Sequence, residues 1–254
     1  MWRRPRRTTA SRRRDNGTPR GCSAATLARL LRHANRTTPD RPLHSGGGPG
    51  RPRAVTSSPA SLAARERAAL ADLLETLGPD APTCCEGWTT GHLAAHLVVR
   101  DHRPDAGPGY ALETLPIGRG LHAHSARLEE RMRTSTPFAE VVDRVRAGAP
   151  RWSPMGWPVV GDLVNAGEFA IHHEDVRRAQ PEWEPRELSR ADRDQLWRTA
   201  TLFARRVGGA TLRRTDVPGV EKRVGRGGPT LEGEPMELLL WTSGRRGVAR
   251  VEVS

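Results

Sequence analysis

Residues 168–175 read Glu168-Phe169-Ala170-Ile171-His172-His173-Glu174-Asp175, and the fold class follows from this stretch. In a helix, residues four apart share a face one turn apart, so Glu168 and His172 project together and can reach one ion. Ala166, Phe169, Ala170 and Ile171 are apolar neighbours, and a carboxylate among them is costly without a cation or a hydrogen-bonding partner. Upstream, Gly87-Trp88-Thr89-Thr90-Gly91-His92-Leu93-Ala94-Ala95-His96-Leu97 puts His92 and His96 on one face of a second helix. Two imidazole nitrogens and a carboxylate oxygen form a common three-ligand zinc set, which leaves a coordination position open for chemistry. Seven of the nine histidines fall between 92 and 173. Glu/His pairs at this spacing also occur as ordinary helix contacts, so on spacing alone a metal site and a plain polar contact both stand.

Outward from this stretch, the periodicity is helical. Leu62, Ala69, Leu70, Leu73, Leu74 and Leu77 trace an apolar stripe that Gly78-Pro79 stops, and Ser57-Ser58-Pro59 supplies a start signal. Further helices are expected at 90–102, 119–133, 136–146, 160–179 and 189–207, with a loop at 151–158. The pattern then changes. Short strands are expected at 211–214, near Val224, at 229–231 and at 248–253, with a short helix over 234–241. The expected architecture is mainly α: a helix bundle over 57–207 followed by a small α/β appendage over 208–254.

The net charge of +12 sits in the leader. Residues 1–58 hold 14 Arg against Asp15 and Asp40, whereas the remaining 196 residues hold 27 basic and 27 acidic side chains. The neutral remainder argues against a nucleic-acid partner. Residues 1–56, rich in Arg, Pro, Gly and Ser, are too poor in apolar groups to offset ordering entropy and are expected to be disordered. They also fit sequence translated upstream of the domain's own start. No run approaches the roughly 18 apolar residues of a membrane span. Three cysteines, with Cys84 and Cys85 adjacent, build no disulfide framework and suit a reducing cytoplasm. The chain has no HExxH, CxxC or Gly-rich phosphate loop between a strand and a helix.

Three segments carry a family resemblance: CCEGWTTGHLAAHLVVRDHRPDAGPG (84–109), GDLVNAGEFAIHHEDVRRAQPEWEPREL (161–188) and GEPMELLLWTSGR (233–245). They resemble the actinobacterial maleylpyruvate isomerase-like proteins of the DinB/YfiT-like superfamily, mycothiol-dependent enzymes with a metal-binding N-terminal domain. The similarity covers roughly 57–254 and lies nearer an uncharacterised metal-binding branch than the isomerase itself. It implies an antiparallel four-helix bundle holding a divalent metal, zinc first, through His96, Glu168 and His172. Asp175 matches the motif aspartate and would orient a ligating imidazole. His173 then points roughly 100° away, and His92 lies one turn before His96 without being required by the motif. The resemblance further implies mycothiol as the activated thiol, an electrophilic small molecule as its partner, and transferase or isomerase chemistry. Arg245 or Arg246 would hold a substrate carboxylate, Arg245 being the catalytic candidate. A non-catalytic metal-binding or stress protein and a metal-dependent hydrolase are the alternatives.

Overall fold

A computed structural model describes residues 60–107, 118–157, 164–205 and 207–254. The expectations for the leader, for the Ser57-Ser58-Pro59 start and for a helical segment over 160–163 lie outside these residues. Within them the chain is a mainly α-helical core followed by a small sheet-and-helix region, as its periodicity indicates.

The helices are α1 (Leu62–Leu77), α2 (Thr90–His102), α3 (Gly118–Ser135), α4 (Phe138–Ala147), α5 (Ala166–Arg177), α6 (Arg190–Phe203) and α7 (Pro235–Thr242). Their ends follow local chemistry. Ser61 caps α1 by accepting from the Ala64 N–H, and Ser189 caps α6 by accepting from the Asp192 N–H. Thr89 and His92 form a reciprocal capping box at the start of α2. Gly78 and Gly148, at φ of 75° and 74°, end α1 and α4.

Four short strands form one sheet in the order β2 (Glu221–Val224), β1 (Ala210–Arg214), β3 (Thr230–Gly233), β4 (Glu252–Val253). Only the β1–β3 pair is parallel. The strand expected over 248–253 shrinks to its last residues because Val248 and Ala249 donate their N–H groups back to the Arg245 carbonyl in a turn. At the sheet end Gly228 approaches the backbone of Gly209 so closely that a Cβ would lie 2.2 Å from the Gly209 oxygen. Only glycine fits there.

Two apolar clusters hold these parts together. One gathers Leu70, Leu74, Leu93, Leu97, Val141, Val145 and Phe169 between α1, α2, α4 and α5. The other runs from Leu62 and Ile171 through Leu196 and Ala200 on α6 to Leu212, Leu231 and Leu239. Helix α5 contributes to both, which explains why it is buried on nearly every side. A helix apolar or buried all round must satisfy its polar residues from its neighbours.

It does so with a network of charges. His173 donates its Nδ1 proton to Glu66 Oε2 at 2.9 Å, so this imidazole is turned to α1. Arg186 bonds both oxygens of Glu66 at 2.8 Å and reaches Glu174 at 2.8 Å. Burial pushes the Glu66 carboxyl up, but His173 and Arg186 outweigh it and lower the pKa from 4.5 to about 2. A depressed carboxylate contributes stability above its unfolded pKa and loses it as pH falls through the folded one. Thermal melts of the wild type should therefore fall more steeply between pH 4.5 and about 2 than those of Glu66→Gln. Parallel curves would remove Glu66 as a source of that acid sensitivity.

Candidate metal centre

The two helices singled out by the sequence bring His96, Glu168 and His172 together. His96 Nε2 lies 3.5 Å from Glu168 Oε1, and His172 Nε2 lies 3.3 Å from the same oxygen. All three side chains are buried, and one donor atom from each falls within 4.8 Å of the others. The two imidazole rings meet edge-on at 5.4 Å, and Trp88 packs against His96 with ring centres 5.2 Å apart. The entry to α2 thus supplies an aromatic wall to the site.

What faces away from the cluster matters as much. His96 Nδ1 donates to Glu129 Oε1 at 2.8 Å, and His172 Nδ1 donates to Asp175 Oδ2 at 3.0 Å. An ionised carboxylate only accepts, so each Nδ1 carries a proton, and each ring in its neutral form would offer its Nε2 lone pair inward. Ligating histidines are fixed in this way by carboxylates behind them. Asp175 is the residue for which the motif resemblance implied that role, and it lies against His172 Nδ1. Glu129, on α3, was not legible in the sequence, where it reads as one more charge on a solvated helix.

Asp175 is itself held. Arg245 donates from Nε to Oδ1 at 3.1 Å and from Nη2 to Oδ2 at 2.8 Å, and the Cys85 thiol donates to Oδ2 at 3.2 Å. Burial raises the Asp175 carboxyl, yet Arg245 and His172 hold it well below the usual carboxylate range. Arg245 therefore directs its fork at a carboxylate of this chain, one bond removed from His172. Burial and the neighbouring Asp175 charge push the Cys85 thiol up, against smaller opposing effects of His172 and Arg245. No partner for Cys85 was visible in the sequence because Asp175 lies ninety positions away.

Arg100 completes the electrostatics. One turn beyond His96, it places Nε 3.6 Å from Glu168 Oε1 and bonds Asp101 and Asn165 at 2.7 Å each. Burial works against the Glu168 carboxylate, but Arg100 and the two histidines hold its pKa well below the ordinary value. Burial likewise opposes a charged His96, while Glu129 and Glu168 raise its pKa to about 9. A proton and a cation would thus compete for the same donors. His92 is used elsewhere: its Nδ1 accepts from the Thr89 N–H at 3.2 Å in the helix cap.

The donor set fits a divalent ion of the zinc type: two neutral imidazole nitrogens, one ionised carboxylate, and carboxylates orienting both rings. The related trio of Cys85, His172 and Asp175 is also compact, but the Arg245 guanidinium already balances Asp175 there. No protein-family model and no curated protein matches this chain. Among solved structures, the crystal structure of the mycothiol-dependent maleylpyruvate isomerase is similar at 16% identity and a TM-score of 0.47. That alignment covers 76% of this chain and 90% of the other. No helix among the described residues is long and apolar enough to cross a membrane.

Proposed function

We propose that His96, Glu168 and His172 hold a divalent cation, zinc in the first instance, and that the protein activates a low-molecular-weight thiol for transfer or isomerisation. The convergence of both Nε2 atoms on Glu168, with a carboxylate behind each ring, carries this reading. A divalent ion bound by three protein ligands keeps a coordination position for a small molecule and favours thiolate over thiol near neutral pH.

The chain's own residues prepare that position. Glu129 and Asp175 fix the tautomers of His96 and His172. Arg100 keeps Glu168 ionised, and Trp88 covers the His96 ring. Arg245 steadies Asp175 from the last helix–turn of the chain, so the appendage contributes to the geometry of the centre. Mycothiol is the thiol that the motif resemblance suggests, and an electrophilic small molecule is its partner.

Thiol binding tests the reading. Titration of the metal-loaded protein with mycothiol should saturate at one equivalent, and His96→Ala should abolish it. Cobalt-substituted protein should show a thiolate charge-transfer band on adding the thiol. A cobalt spectrum indifferent to thiol would leave a metal site without the proposed activation.

A further inference from the structure

Helix α3 carries a second feature, independent of the metal centre. A cavity of about 290 Å³ is lined by Arg103, His124, Arg127, Leu128 and Arg131. Four of these lie on α3 at positions 124, 127, 128 and 131, the spacing of one helical face. Leu128 is buried against Val99 and Ala106 and forms the floor. Arg103 reaches in from the end of α2.

Among the described residues the charges around this cavity do not balance. Asp105 accepts from Arg103 Nε and Nη2 at 2.8 Å each and from His124 Nε2 at 2.9 Å, so a single carboxylate orients both rim groups. The two acids on α3 are committed elsewhere: Glu129 to His96, and Glu130 to Arg133 at 2.7 Å. Arg127 uses its Nε on the Ala123 carbonyl. Arg127 and Arg131 are exposed, and among the described residues neither forms an ion pair, so both guanidinium groups face the cavity mouth uncompensated. Like charges at i, i+4 disfavour a helix, and an anion between them reverses that effect.

We propose that this cavity binds a small oxyanion of charge two or more, gripped by Arg127 and Arg131 with Arg103 and His124 at the rim. Guanidinium forks match the paired oxygens of phosphoryl and carboxylate groups. Residues at i, i+4 stand about 5–6 Å apart at Cβ, which allows two forks to close on one such group. The arginine stems and Leu128 offer an apolar seat for the body that carries it. The volume suits a fragment-sized ligand, near the lower end of small-molecule sites.

Chemical-shift titrations of the full chain with inorganic phosphate and, separately, with succinate test this. Saturable shifts confined to Arg103 and residues 124–131 are expected with at least one of them. Which anion saturates distinguishes a phosphoryl from a carboxylate ligand. Arg127→Ala/Arg131→Ala should weaken the affinity at least tenfold while leaving the melting temperature near wild type, since Ala is the best helix former. His172→Ala should leave it unchanged. Non-saturating shifts with both anions, an affinity indifferent to the double substitution, or loss of binding in His172→Ala would each overturn the assignment, the last by placing the anion at the metal centre.

Discussion

His172→Ala should lose its zinc: wild-type protein purified in zinc-containing buffer carries about one equivalent by plasma mass spectrometry, and the variant carries close to none. Removing a group that only orients a ligand typically costs 10–100-fold in metal affinity, and His172 is itself one of three donors. At least about 100-fold is therefore expected. The substitution leaves no substitute donor in place, because Asp175 remains tied to Arg245 and Cys85. Asp175→Asn should fall between the two, weakening zinc by about 10–100-fold, since the amide can present its NH2 rather than an acceptor to His172 Nδ1. Both measurements need circular dichroism alongside. Equal zinc in wild type and in a folded His172→Ala would sink the metal centre as drawn.

The juxtaposition of His96, Glu168 and His172 was legible because one helix turn carries two of them and a short motif carries the third. Spacing reports such local facts. The groups that give the site its electrostatics were not legible, for a common reason. Glu129, Arg100 and Arg245 are charged residues on helices or turns rich in charge, and sequence cannot say which charge turns inward. Arg100 came nearest to detection, as His96 plus four on the same face. Arg245 was read as a candidate for substrate; the structure places its guanidinium on Asp175. The fold shows the same division. The stripe of α1 was visible from its leucines, yet Glu66 lies buried within that stripe, and only the arrival of His173 and Arg186 from distant segments explains it. The bundle-then-appendage order was readable from the switch in periodicity after α6. The apolar cluster shared by α1, α5, α6 and the sheet was not, because it depends on how those elements dock.

Arg178→Ala should destabilise the protein by about 3–5 kcal/mol, the range for breaking a buried ion pair by removing one partner. Arg178 sits at the end of α5 with its side chain 2% exposed. It donates to Glu174 at 2.6 Å, to both Glu237 oxygens at 2.6 and 2.9 Å, and to the Val248 carbonyl at 2.9 Å, with its guanidinium 4.6 Å from the Trp183 ring centre. It thereby joins α5 to α7 and to the turn before β4. After truncation Glu174 keeps Arg177 and Arg186, whereas Glu237 keeps the Arg250 N–H among the described residues and is left as an under-compensated charge beside the core. Much of the loss should come from that stranded carboxylate. Adding Glu237→Gln to Arg178→Ala should therefore restore part of the stability, a coupling that urea melts of the full double-mutant cycle would measure. Arg146→Ala gives the contrast. Its partners Asp72 and Glu75 are 70% and 68% exposed, so solvent screening leaves little to lose although it also spans two helices. A cost at Arg178 no larger than that at Arg146 would mean that the buried network decorates the junction between bundle and appendage rather than fastening it.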